Sequence, residues 1–303
     1  MHMPYTFRET LSVAERGSWR VDDIIGGEKR LDFSKPFMPE SLARTAALDF
    51  LSTAQKRTLN QIRGHAYLSI FGLVEEFILP FVMDHTRPAL RDDDYQTRAM
   101  LQFACEEAKH IHLFKRFREE FTKGFGAACQ VIGPAEAIAK SVLAHDPLSV
   151  ALVTLHIEWM TQRHYVDSVK DDQGLDPQFK SLLKHHWQEE SQHAKLDTLM
   201  VHSLAAGRDE ASIAEAIAGY AKIGAFLDEG LQQQTEFDLE SFEGATGRRL
   251  NSIERERFLE HQLQANRWTY LGSGMTHPNV LATLEALKPG TAAAVEEMAQ
   301  AFC

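Results

Sequence analysis

Cysteine is scarce: Cys105, Cys129 and Cys303 are the only three in 303 residues, and no two form a CxxC pair. That spacing argues against a disulfide framework, a zinc ribbon or a thioredoxin-type redox site, and leaves the three as reduced packing residues. Basic blocks are missing as well. The 32 Lys and Arg are outnumbered by 43 Asp and Glu for a net charge of -11, so neither nucleic acid nor an anionic membrane surface is an expected partner. A membrane span needs about 18 consecutive apolar residues. The best candidate, Phe71 to Met83, is interrupted by Glu75 and Glu76, and no span is expected. The opening stretch from Met1 to Val13 brings charge early and lacks the apolar run and cleavage site of a secretory signal, which makes a cytoplasmic location the expectation. Runs of alternating β-branched residues with hairpin turns, internal solenoid repeats and low-complexity tracts are also absent. With 44% hydrophobic and 25% charged residues, the chain is neither fibrous nor disordered.

What is present is helix. Long segments carry 3.6-residue periodicity and helix-forming residues, so the fold class is all-α. Residues 1–40, with Gly26-Gly27, Pro36 and Pro39, read as an irregular arm. A first long helix runs from about Pro39 or Ser52 to Thr86, where Arg87-Pro88 ends it. A second starts at the acidic run Arg91-Asp92-Asp93-Asp94, which suits a helix N-terminus, and stops near Gly124 and Gly126. Residues 134–144 form a short connecting helix. Asp146-Pro147 opens a third long helix to about Lys170, and a fourth runs from Pro177 to about Gly207. Three or four further helices are expected at about 209–236, 251–270, 278–288 and 291–301. Two hairpins joined by a long crossover are the ferritin-like four-helix plan. The chain thus reads as one domain, with the arm at 1–40, the bundle at 52–207 and accessory helices at 208–303.

Only two of the 14 histidines have a glutamate three positions earlier: Glu107-Ala-Lys-His110 and Glu190-Ser-Gln-His193. Residues i and i+3 share a helix face, so each motif offers a carboxylate and an imidazole to one point in space. Thirty-two residues before each motif glutamate stands another, Glu75 before Glu107 and Glu158 before Glu190. Running up one helix and back down the next at about 1.5 Å per residue returns the chain to the same level. Each hairpin therefore supplies two carboxylates and one histidine at one height. Paired, the hairpins give the ligand set of a carboxylate-bridged pair of metal ions. Buried carboxylates without cations would each cost several kcal/mol or be forced to protonate. Glu76 points about 100° away from Glu75 and is the weaker ligand. One feature breaks the internal symmetry: His186 stands four residues before Glu190, where Phe103 stands before Glu107. A third imidazole would make the two metal positions unequal and favour oxygen activation over storage.

This pattern, Glu75, Glu107-x-x-His110, Glu158 and His186-x-x-x-Glu190-x-x-His193, resembles the p-aminobenzoate N-oxygenase family of ferritin-like di-iron oxygenases over about residues 60–205. The resemblance implies that Glu75, Glu107, His110, Glu158, His186, Glu190 and His193 are the metal ligands. It also implies that the reduced cluster binds O2 as a peroxo species and oxidises an amine nitrogen, an aryl amine above all. Two iron ions are the expected cofactor, although carboxylate and imidazole ligands suit manganese equally. No dinucleotide fingerprint is present, since Gly124-Phe-Gly126 lacks the third glycine. Electrons would then come from an external reductase or ferredoxin, with a small molecule and O2 as substrates. A homodimer is expected from the habits of the fold alone. A ferritin-like iron store and a di-manganese or Mn–Fe oxidase are the competing readings.

Smaller expectations attach to neighbouring residues. Asp197, one turn after His193, is placed to accept the imidazole N–H, or else to face solvent. Phe71, Phe103, Leu155 and Trp159 are either pocket wall or core. Tyr165 reads as packing, Glu106, Glu189 and Lys109 as flanking residues in salt bridges, and His112, His156 and His164 as structural.

Overall fold

The computed structural model describes residues 5–91 and 93–303. Met1–Pro4 and Asp92, on which part of the N-terminal reading and of the acidic helix start rested, lie outside the described residues. Among the described residues there are helices and no strand. The N-terminal arm is more ordered than its glycines and prolines suggest. It holds α1 (Phe7–Gly17) and two single turns, α2 (Val21–Ile24) and α3 (Glu40–Ala43). Helix α1 starts where the Thr6 hydroxyl accepts the Glu9 N–H, and it packs against the second and fourth bundle helices. That contact buries Leu11 and Ala14, and burial of an apolar stripe outweighs the weak local signal.

The bundle helices begin and end where local chemistry places them. Helix α4 (Thr53–Thr86) opens on a reciprocal capping box between Ser52 and Gln55. The Asp93 carboxylate accepts the Tyr95 and Gln96 N–H groups to start α5 (Asp94–Phe125), which Gly126 closes at φ 78°. After the crossover helix α6 (Ala135–Leu143), Asp146 caps and Pro147 opens α7 (Pro147–Arg163). Helix α7 continues as a π-helical stretch from His164 to Val169. Asp176 and Pro177 repeat the same start for α8 (Pro177–Ala205). Helices α4 and α5 form one hairpin, α7 and α8 the other, and the two lie face to face. Helix α4 is by length and composition able to cross a bilayer, contrary to the expectation drawn from its two glutamates, but 78% of its most apolar window is buried inside the bundle.

The C-terminal region adds α9 (Glu210–Thr246), which runs ten residues beyond its expected end, α10 (Ser252–Arg267), α11 (Ser273–Met275), α12 (Pro278–Leu287) and α13 (Thr291–Ala299). A π-helical turn from Trp268 to Gly272 joins α10 to α11. Helix α9 lies across α4 and α7, closing the side of the bundle opposite the arm. Arg63 of α4 pairs with Asp238 of α9 at 3.4 Å and with Asn266 of α10, all three buried. One apolar cluster runs from Leu11 in the arm through the four long helices to Val295 and Ala299.

Candidate metal centre

The two ExxH motifs and their partner glutamates meet in the middle of the bundle. All seven candidate ligands are 0–3% exposed, and six of them fall into two overlapping sets. Glu75, His110, His186 and Glu190 form one set, and Glu107, His110, Glu190 and His193 the other, with the facing atoms of each set within 4.8 Å of one another. Glu190 is central: its Oε1 lies 3.0 Å from His110 Nδ1, 3.0 Å from His186 Nε2 and 3.4 Å from His193 Nδ1. Glu75 Oε1 is 3.1 Å from His186 Nε2, and Glu107 Oε1 is 2.9 Å from His193 Nδ1. Glu158 is equally buried but stands outside both sets, with Oε2 unpartnered. Glu76 faces solvent, as its 100° offset requires.

The outer nitrogens of the motif histidines carry a symmetrical arrangement that the sequence reading missed. His110 Nε2 donates to Glu189 Oε2 at 2.8 Å, and His193 Nε2 donates to Glu106 Oε2 at 2.9 Å. Each glutamate immediately precedes a motif glutamate and reaches across to the histidine of the opposite motif. This pairing holds a proton on Nε2 and turns each Nδ1 inward, where a metal could take it. Glu106 is further held by the Gln102 amide at 2.8 Å, and Glu189 by the Lys109 ammonium. The signal was available, because Glu-Glu occurs at both motifs, 106–107 and 189–190. Sequence spacing shows only that adjacent residues diverge on a helix, however, not that the diverging side chain meets the other hairpin.

Asp197 does not accept from His193; it is fully buried beside Thr154, and Glu106 has the place at the imidazole. Of the four candidate wall residues only Phe71 lines a cavity. Phe103 stacks on His193 at 4.0 Å between centroids, Leu155 is core, and Trp159 stacks on His277 at 5.0 Å. Phe103 and His186, at equivalent positions in the two halves, each pack on a motif histidine, His186 meeting His110 edge-on at 4.7 Å, but only His186 adds a ligand atom. Tyr165 stacks on Trp187. His156 bonds to Tyr220 Oη and the Tyr270 carbonyl, and His164 to Tyr67 and Ser273; both are structural, and His112 is exposed. Trp19 of the arm, unremarked in the sequence, stacks on His110 at 5.9 Å and carries the Lys109 ammonium 4.1 Å above its ring.

The electrostatics call for cations. Burial, and then the Glu107 and Glu190 charges, push the Glu75 carboxyl well above the usual range. Glu107 is raised by burial and by Glu190. Burial works against a charged His110, but Glu189 and Glu190 outweigh it and raise the imidazole to about 9. Burial likewise opposes ionisation of Glu190, yet His193 and His110 hold it down to about 2. Buried and otherwise unpaired atoms point inward: both Glu107 oxygens, Glu75 Oε2, Glu158 Oε2, Glu190 Oε1, and Nδ1 of His110 and His193. Carboxylate oxygens and imidazole nitrogens are the donors that hold iron or manganese, so these residues fit a pair of such ions.

Beside the centre lies an apolar cavity of about 250 Å³. Ile70, Phe71 and Val74 of α4 and Ile157 and Met160 of α7 form its floor, adjoining Glu75 and Glu158 in sequence, while Phe226, Leu227, Gly230 and Leu231 of α9 and Tyr270 roof it.

A family profile agrees with this geometry. The profile of the family described as p-aminobenzoate N-oxygenase AurF matches residues 18–261. The chain belongs to that family. Membership makes it an oxidoreductase of the oxidase or oxygenase kind with a dimetal centre. Among solved structures, a mutant R2-like ligand-binding oxidase with an aerobically reconstituted Fe/Fe cofactor is similar at TM-score 0.48 and 14% identity, over 89% of this chain and 94% of its own. A second mutant of such an oxidase, with an aerobically reconstituted Mn/Fe cofactor, gives 0.46 and 14% over 89% and 94%. Those cofactors are properties of those proteins. No curated protein matches this chain.

Proposed function

We propose that this AurF-family protein is an O2-dependent di-iron monooxygenase that oxygenates the nitrogen of an aryl amine. One observation carries the reading: two overlapping sets of buried glutamates and histidines, turned inward by Glu106 and Glu189, adjoin an apolar cavity sized for a small ring. Glu75, His110, His186 and Glu190 would hold one ion, and Glu107, Glu158, Glu190 and His193 the other. Two iron ions supply O2 reduction and oxygen-atom transfer when bound.

The protein's own part is positioning. Glu106 and Glu189 hold the Nε2 proton of each motif imidazole, so that Nδ1 is the nitrogen at which a metal would replace a proton. Phe71, Val74 and Ile157 exclude water and set the amine nitrogen near the carboxylates. The first turnover converts an amine, O2, two electrons and two protons into a hydroxylamine and water. The electrons come from an external reductase or ferredoxin, since the described residues hold no strand–turn–helix phosphate cradle. A homodimer in the cytoplasm completes the proposal.

The test is anaerobic loading with Fe(II), metal counting, then reduction and exposure to 18O2 with an arylamine. About two irons per chain and 18O in a hydroxylamine or a more oxidised product are expected. Tens of irons per chain would make the protein a store. Label on ring carbon would make it a different oxygenase, and turnover with NADPH alone would remove the external donor.

A further inference from the structure

The cavity beside the metal centre is unevenly charged. Among the described residues lining it there is no Lys, Arg or His. Its wall is aliphatic and aromatic, and its polar members, Glu229 and Gln233, are exposed on α9 at the mouth. Arg63 lies behind Tyr270 but is paired with buried Asp238, and Lys115 and Arg118 line a separate groove that shares only Leu73, Ile132 and Gly133 with the cavity. A carboxylate entering the cavity would therefore lose its hydration with no cationic side chain to pair with, and would pass an acidic side chain on the way in. An alkylammonium would lose hydration in the same apolar space. An arylamine, neutral at pH 7, loses neither. At about 250 Å³ the space is near the small end of ligand pockets, which run from roughly 300 Å³ upward.

From this we infer that the substrate is a neutral, single-ring arylamine with an apolar substituent, and that this member of the family discriminates against aminobenzoates. The inference rests on the N-oxygenase reading for the amine and on the cavity wall for everything else. Glu229 and Gln233 set the charge at the entrance, and Phe71, Val74 and Ile157 set the apolar floor against which the ring lies.

Binding to the iron-loaded protein, measured by calorimetry without O2 or reductant, separates the two parts. The probes are p-toluidine, 4-butylaniline, p-aminobenzoate and cyclohexylamine. Both alkylanilines are expected to bind at least tenfold more tightly than p-aminobenzoate and cyclohexylamine. The double variant Glu229→Gln with Gln233→Arg, two exposed substitutions that leave the core alone, is expected to strengthen p-aminobenzoate binding about tenfold. Equal or tighter binding of p-aminobenzoate by the unaltered protein overturns the inference, as does failure of either alkylaniline to bind. Oxygenation is then followed separately with the same compounds. Alkylanilines that bind but are not oxygenated sink the N-oxygenase reading and uphold the selectivity of the cavity. Faster oxygenation of p-aminobenzoate than of p-toluidine does the reverse.

Discussion

Glu106 and Glu189 are the side chains on which the centre's geometry turns, because each holds the far nitrogen of a motif histidine and thereby decides what the near nitrogen can do. Glu106→Gln or Glu189→Gln keeps the volume and leaves an amide that can still accept, but it removes the charge that makes the imidazole a strong donor. Chelator competition is expected to show iron binding weakened about 10- to 100-fold, with helix content unchanged by circular dichroism; wild-type affinity in both variants would deny them this role. His186 tests a different asymmetry. Its mirror position holds Phe103, so His186→Ala removes a ligand from the Glu75 set and leaves the Glu107 set whole. The expected titration shows binding weakened at the Glu75 set and unchanged at the other, and two unchanged affinities would place His186 among packing residues. Reading the residues alone gave His186 from its four-residue offset to Glu190. It could not give Glu106 or Glu189, since the partner of each is on the opposite hairpin.

At the level of elements, close helix approach depends on small residues at particular crossings. Gly274 of α11 sits against α7, where an added Cβ would lie 2.2 Å from His156 Nε2. The ring has nowhere to go, being tied to Tyr220 and to the Tyr270 carbonyl. Gly274→Ala is expected to destabilise the protein by about 1–3 kcal/mol, seen as a lower Tm. Combining it with His156→Ala should cost less than the sum of the two single changes, because removing the ring relieves the clash. Strictly additive losses would mean that the crossing is looser than it looks. Helix starts were legible beforehand at Ser52, Asp93 and Asp146, where cap chemistry is local. Helix α1 was not, because its stability comes from burying Leu11 and Ala14 on α5 and α8. The far end of α9 was missed for a related reason: Gly244 lies inside the helix, and Leu239, Phe242 and Phe258 pack together beside it.

Two expectations belong to the molecule as a whole. Burial, with a smaller contribution from Arg118, lowers the imidazole of His65 from 6.5 to about 4. A histidine whose folded value is depressed supports the fold above its unfolded value, and that support is lost as pH falls toward the folded value. Relative to His65→Leu, wild type should therefore lose up to about 3 kcal/mol of stability between roughly pH 6.5 and 4. Denaturant melts of both proteins across that window check the sign, and a pH-independent difference would contradict it. Metal loading is the second case. Binding to the folded state alone stabilises it, by about 2.7 kcal/mol when free metal is a hundredfold above Kd. Chelation should lower Tm yet leave a helical protein, because the apolar cluster from Leu11 to Ala299 does not depend on the ions. Full unfolding on chelation would mean that the metal is part of the core.

The sequence by itself determined the class of the fold and the ligand chemistry, because helical periodicity, caps and the repeated 32-residue interval between glutamates are properties of one chain direction at a time. Only the tertiary structure decided which side chains serve those ligands from across the bundle, where Glu158 stands relative to the other six, and which apolar residues enclose a cavity rather than fill the core. Those are matters of distance between helices far apart in the chain, and the spacing of residues along one helix carries no measure of it.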